Sequence, residues 1–274
     1  MPLKVTYLIR CDCRLPILQL QVGKRKGASL VVTRMDSKPA IEINKLTKSY
    51  GRTAVLRGLD LKLDWGEVVT ILGSNGSGKT TLINIISSLT KPDSGTIEVG
   101  GVNVRARGTV VRRFVGVVTH GPLLYEQLTG YENLRFHAAM FGICKPDEQI
   151  IIVARQLGVE AHLNQRVGTL SHGMQKRISI ARALLHNPPL LMMDEPESGL
   201  DQEALKMLEE VVHELAESGR TVLMTSHNLD RVLAMSCRIA ILRGGRVVYE
   251  ENLKPSPSAD GVKEAYAWHA GESM

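Results

Sequence analysis

The sequence predicts an α/β fold: a mainly parallel sheet, a small antiparallel sheet on its flank, and a helical block inserted between two of the parallel strands. Three observations carry this. Short apolar runs at Val68-Val69-Thr70-Ile71-Leu72, Phe114-Val115-Gly116-Val117-Val118, Leu190-Leu191-Met192-Met193 and Thr221-Val222-Leu223-Met224-Thr225 do not alternate with polar residues. Strands of that kind are covered on both faces, as in parallel sheets. Ile41-Glu42-Ile43 and Leu59-Asp60-Leu61-Lys62-Leu63 do alternate, as half-solvated antiparallel strands do. From Thr129 to about Leu185 the pattern is mostly helical.

Asp64-Trp65-Gly66-Glu67 turns the chain into the first buried run, which feeds directly into Gly73-Ser74-Asn75-Gly76-Ser77-Gly78-Lys79-Thr80. Thr81-Leu82-Ile83-Asn84-Ile85-Ile86 leaves it as the start of a helix. The spacing G-x-x-x-x-G-K-[ST] between a strand and a helix is that of a phosphate-binding loop. Glycines let backbone N–H groups curl around phosphate oxygens, and a helix N-terminus adds favourable charge. In such a loop Lys79 reaches β- and γ-phosphates, and the Thr80 hydroxyl can ligate Mg²⁺.

Further along, Thr96 to Val102 reads as a hairpin turning at Gly100-Gly101, which extends the antiparallel sheet. Tyr50 ends the first patterned segment, either as a platform for a flat ring or as an aromatic at a sheet edge. The Phe114–Val118 strand runs out at Thr119-His120, and Thr129-Gly130-Tyr131-Glu132 is a good helix start. A helical block between strands forms a subdomain able to move relative to the core. Inside it, Leu170-Ser171-His172-Gly173-Met174-Gln175 opens a helix, with Ser171 a natural N-cap and Ile178, Ala181, Leu184 and Leu185 on its apolar face. Asn187-Pro188-Pro189 stops that helix.

The Leu190–Met193 strand ends in Asp194-Glu195. Acids at the carboxyl end of a parallel strand border the ligand crevice. Asp194 suits Mg²⁺, usually through water, and Glu195 suits an attacking water. Ser198-Gly199-Leu200-Asp201 leads into an amphipathic helix with Leu205, Leu208, Val211, Val212 and Leu215 on one side. The Thr221–Thr225 strand ends at Ser226-His227. Ile239 to Glu250 is a closing hairpin around Arg243-Gly244-Gly245-Arg246, and the Pro-, Ser- and Gly-rich tail, 251–274, is left without an assigned structure.

Charge distribution narrows the partners. The net charge is +6, but residues 1–35 hold seven basic residues against Asp12 alone, which accounts for all of it. The other 239 residues balance at 27 basic and 27 acidic, so the core lacks the basic footprint of a nucleic-acid binder. Residues 1–40 form a basic leader, read either as a disordered arm or as sequence upstream of a true start at Met35. No apolar run approaches the roughly 18 residues a membrane span requires. The four cysteines are scattered, and Cys11-x-Cys13 lacks a second ligand pair, which fits a reducing cytoplasm.

Together, the phosphate loop, Leu170–Gln175, Asp194-Glu195, Ser198–Asp201 and Ser226-His227 resemble, in content and order, the ATP-binding-cassette ATPases, over residues 41 to about 250. The resemblance implies their fold: a P-loop NTPase core, a flanking antiparallel β-subdomain and an inserted helical subdomain at about 122–187. It implies that Tyr50 stacks on adenine, that residues 73–81, including Thr81, hold phosphates, and that Thr80 and Asp194 serve Mg²⁺. Glu195 would activate water and His227 would contact the γ-phosphate. Ser171 and Gly173, with Asp201 nearby, would complete the site of an opposite subunit, so that ATP joins two chains head to tail, as a homodimer or with a second cassette. The family's usual glutamine after the Phe114–Val118 strand is His120 here. Mg²⁺ prefers oxygen ligands, so His120 would act through water or sense the helical subdomain. Gln127 lies too far along to replace it.

His120, His172-Gly173-Met174-Gln175 and Glu132-Asn133-Leu134-Arg135-Phe136 are similar to the heme-exporter ATPases of cytochrome c maturation, and also to ATPases of neighbouring two-component exporters of drugs, lipids or polysaccharides. The expectation is an ATP-hydrolysing motor at the cytoplasmic membrane face, docked on separate transmembrane permease subunits. A soluble cassette acting on ribosomes or DNA would carry two cassettes or a long inserted arm. An unrelated phosphate-loop kinase would leave the 170–175 and 194–201 segments unexplained.

Overall fold

The computed structural model describes residues 38–229, 233, 235–253 and 259–270, so nearly all of the leader lies outside the described residues. Strand β1 (Ile41–Tyr50) pairs antiparallel with β2 (Thr53–Leu63), with Ile41, Ile43 and Leu46 facing Leu63, Leu61 and Leu59. The alternating side of this ribbon is buried, and its polar side is open to solvent. Glycine at position 66, with φ of 81°, turns the chain into β3 (Val68–Leu72), every residue of which is buried. Helix α1 (Lys79–Ile86) starts two residues earlier than the apolar run suggests, because Lys79 and Thr80 already form its first turn.

Strands β4 (Ser94–Val99) and β5 (Val102–Asn103) close the antiparallel sheet in the order β2-β1-β4-β5. Their turn, Gly100-Gly101, has φ of 55° and 77°, the left-handed pair a tight hairpin requires. A short helix, α2 (Val104–Val111), follows and is capped by the Asn103 side chain.

Beyond β6 (Val115–Val118) comes the helical block. Helix α3 (Gly130–Phe141) begins with a complete capping box between Thr129 and Glu132. Helix α4 (Pro146–Gln156) carries proline in its first turn, and two 3₁₀ turns, Glu160–His162 and Val167–Thr169, lead to α5 (His172–Leu184). The rest of the core alternates: β7 (Leu190–Asp194), α6 (Gln202–Glu217), β8 (Thr221–Ser226) and β9 (Arg238–Arg243). The hairpin to β10 (Arg246–Asn252) is antiparallel, but β9 itself runs parallel to β3. The six-stranded order is β10-β9-β3-β8-β7-β6.

Both faces of this sheet are covered, as the unbroken apolar runs require. Leu191, Met193, Val222 and Met224 pack with α5, α6 and the helical block. Leu190, Met192 and Leu223 pack with α1 and the antiparallel sheet. A fully buried aliphatic side chain contributes about 1.5–3 kcal/mol, so these two cores set the rigidity of every loop at the strand ends. Residues 259–270 of the tail form helix α7 (Ala259–Ala270), whose Val262 is buried against Leu72, Ile239 and Ile241.

Candidate active site

The carboxyl ends of β3, β7 and β8 lie side by side, with Leu72 opposite Ser226 and Asp194 opposite Thr225. The phosphate loop leaves the first of these strands. Gly73 has no space for a side chain: a Cβ there would lie 2.6 Å from the Leu242 carbonyl oxygen and from Ser77 Oγ. Gly78, at φ of 110°, is backed by Leu56 and Val55 of β2, so the antiparallel sheet braces the loop. Ser74, Asn75, Gly76 and Thr80 are solvent-exposed, whereas Ser77 and Lys79 are buried.

Lys79 folds back into the loop, its Nζ donating to the carbonyls of Gly73 (2.8 Å) and Ser74 (3.2 Å). The same ammonium is 3.5 Å from Glu195 Oε1, and His227 Nδ1 is also 3.5 Å from that oxygen. Asp194, almost completely buried, accepts a 2.6 Å hydrogen bond from Thr225 Oγ1, and that hydroxyl accepts from the Glu195 N–H at 3.0 Å. Glu195 has a φ of 46°, a strained value for a residue with a side chain. Three sequence elements far apart in the chain thus bring a lysine and a histidine to one oxygen of Glu195, with Asp194 its neighbour on the same strand end.

Ser171 caps α5 by accepting from the Met174 N–H at 3.3 Å, and it is exposed. Gln175 turns inward to the carbonyls of Val167 and Leu170. The contacts of this turn are with the 199–201 segment: Gly173 faces the Gly199 carbonyl, Gly199 faces His172, and Arg177 lies 3.7 Å from Asp201. Asp201 also caps α6 through the Ala204 N–H at 2.7 Å. His120 is exposed, just past the end of β6. Tyr50 sits half exposed at the tip of the β1–β2 hairpin, with the Lys48 ammonium 5.3 Å from its ring centre.

Sequence reasoning missed Lys176. Its ammonium is buried and reaches the carbonyls of Thr119 and Glu195, at 3.5 and 3.4 Å. Burial holds its pKa below the usual lysine value, against the opposing charges of Asp194, Glu197 and Glu195. Also missed was Glu197, which bonds in the interior to Ser226, a residue the sequence reading named at the strand end without giving it a role. The usable signal was a second acid two residues after Glu195.

The loop fits a phosphate ligand and a hard cation. Ser77 Oγ is buried without a hydrogen-bond partner, an orphaned donor facing the loop that a phosphate oxygen would satisfy. Thr80 and Asp194 offer oxygen, the donor Mg²⁺ prefers. Among the described residues no cluster of three or more metal-binding side chains occurs, so nucleotide oxygens and water would complete the shell.

Comparison with known proteins agrees. The family model described as ABC transporter matches residues 56–198. The linearmycin resistance ATP-binding protein LnrL of Bacillus subtilis is 35% identical over 210 residues, 76% of this chain and 68% of that one. The Nod factor export ATP-binding protein I of Rhizobium etli is 35% identical over 213 residues, 77% of this chain and 67% of its own. Among solved structures, a dimeric ATP-binding cassette in a post-hydrolysis state, bound to ADP and Pi, superposes with a TM-score of 0.74. It is 29% identical and covers 78% of this chain and 99% of that one. On its motifs, its fold and these relatives, this chain belongs to the ABC transporter family, as an ATP-binding subunit whose ATP hydrolysis is coupled to transport.

Proposed function

We propose that this chain is the motor of an exporter, seated at the cytoplasmic face of a membrane against separate membrane-spanning subunits, with two cassettes facing head to tail around two ATP molecules. The observation that carries the catalytic part is the convergence of Lys79 and His227 on one oxygen of Glu195. Residues Gly73 to Thr81 wrap the nucleotide phosphates, and Lys79 meets the β- and γ-phosphates. Thr80 and Asp194 would hold Mg²⁺, which when bound neutralises phosphate charge. Tyr50 stacks on adenine.

Glu195 takes a proton from the attacking water as the water's oxygen bonds to the γ-phosphorus. The bond to the β,γ-bridging oxygen breaks, and ADP and phosphate leave. His227 orients the water and the γ-phosphate. Ser171, Gly173 and Asp201 of one copy close the site of the other. An exposed helix N-terminus suits a γ-phosphate, which supports that assignment. His120 works through water or reports the position of the helical block.

The names of the two relatives, one for export and one for resistance, support outward transport of a cargo other than heme. The sequence similarity at His120, His172–Gln175 and Glu132–Phe136 supports heme export as a second reading. Exposed Leu123, Tyr125, Phe136 and Met140, with Tyr125 and Phe136 in edge contact at 5.5 Å, offer an apolar landing for a membrane subunit. The catalytic assignment is tested with Glu195→Gln. That variant is expected to bind ATP normally, to lose hydrolysis by about 100-fold or more and to accumulate as an ATP-bound dimer. Brisk turnover in that variant would overturn the role of Glu195.

A further inference from the structure

Two consecutive hydroxyls end β8: one grips the acid that ends β7, the other an acid of the segment after it. Thr225 holds Asp194. Ser226, on the opposite side of the strand, donates its hydroxyl proton to Glu197 Oε1. Both partners of that second bond are buried, Glu197 to 8% and Ser226 to 3% exposure. A turn closed by the Ser198 N–H on the Glu195 carbonyl, at 3.1 Å, carries Glu197 back towards β8. Ser226 Oγ in turn accepts from the Asn228 N–H at 2.9 Å. The residue between Ser226 and Asn228 is His227.

Burying a carboxylate is costly unless it is bonded and has a counter-charge. Here the bond goes to the shoulder of the catalytic histidine. The counter-charge comes from Lys176, whose ammonium also holds the Glu195 carbonyl and belongs to the helix opened by Ser171. Nothing in phosphate binding uses Glu197, and nothing in the β8 ladder requires a hydroxyl at Ser226.

We infer that Glu197 is a positioning residue: through Ser226 it fixes the backbone on both sides of His227 and so sets the imidazole against Glu195. The inference rests on the proposed catalytic role of His227. Lys176 makes the arrangement responsive to the helical block, since a movement of α5 would carry the ammonium away from Glu197 and Glu195 together.

The test measures ATPase kinetics and ATP affinity for Glu197→Ala and Ser226→Ala, each in the native and in the His227→Ala background. In the native background, kcat is expected to fall about 10- to 100-fold, the worth of a hydrogen bond to a charged group, with ATP affinity and KM little changed. Glu197→Gln, which keeps an acceptor oxygen, should recover most of that loss. In the His227→Ala background neither change should lower the residual single-turnover rate further, because the residue being positioned is gone. If the losses multiply, or ATP affinity falls in step with kcat, the positioning role is overturned while the role of His227 stands. Wild-type turnover by His227→Ala alone would overturn both. Ser226→Ala removes one oxygen only and carries the test if Glu197→Ala does not fold.

Discussion

At the scale of single residues, the site is organised by charge held at short range. Lys79 gives two of its three donors to the carbonyls of Gly73 and Ser74, so the loop itself shapes its position. Lys79→Ala therefore removes both a phosphate contact and the strut that keeps the loop curled. Nucleotide affinity measured by equilibrium titration should drop at least tenfold, the effect of losing about 1.4 kcal/mol or more. Unchanged ATP affinity would count against the loop assignment. Lys79 and Glu195 were legible because their residue types, at that spacing and at strand ends, suit little besides phosphate chemistry. Lys176, Glu197 and Ser226 were not, because their meaning depends on a turn that folds position 197 towards β8 and on a helix that delivers an ammonium from elsewhere in the chain. Tertiary distance, not composition, creates that network.

At the scale of elements, the parallel strands, the Gly100-Gly101 hairpin and the capped starts of α3 and α5 follow directly from pattern and turn chemistry. The limits of pattern show at α2, whose helix is interrupted by non-helical Arg107, and at α7, which follows a Pro- and Ser-rich stretch. They show again at β9, where the hairpin to β10 hides a parallel partnership with β3. The end of α3 meets the end of α5 through a stack of Phe141 on His186, with ring centres 3.9 Å apart and planes 11° apart. Burial pushes the His186 pKa down to about 4. The unfolded imidazole titrates near its ordinary value of about 6.5, so the unfolded chain binds more protons between these two values. This contribution to stability is fully present above about pH 6.5 and is lost as pH falls towards about 4. Its full size is about 3 kcal/mol. Melting temperature should fall over that window, and His186→Phe, which keeps the stack but cannot be protonated, should flatten the fall. An equally steep fall in His186→Phe would show that other groups carry it.

At the scale of the whole molecule, the strand ends, the exposed cap of α5 and the apolar group on the helical block are three separate surfaces, to which the proposal gives three separate tasks. Lys176, a residue of α5, reaches from the block's last helix to the Glu195 carbonyl and so ties the block to the strand ends. Among the described residues no helix is long and apolar enough to cross a bilayer. The apolar group at Leu123, Tyr125, Phe136 and Met140 is the surface expected to receive the membrane subunit. Tagged protein drawn from gently solubilised native membranes should bring down a multi-span subunit, identified by mass spectrometry. The double change Tyr125→Ser and Phe136→Ser should abolish the capture while leaving the ATPase rate of the isolated chain within about twofold, because both side chains are exposed. Recovery of subunits of a cytochrome c maturation system would select the heme reading, and another exporter's subunit would remove it. Capture of ribosomal proteins or nucleic acid alone would defeat the exporter proposal, whereas undiminished capture of a membrane subunit by the double variant would move the docking surface elsewhere on the cassette.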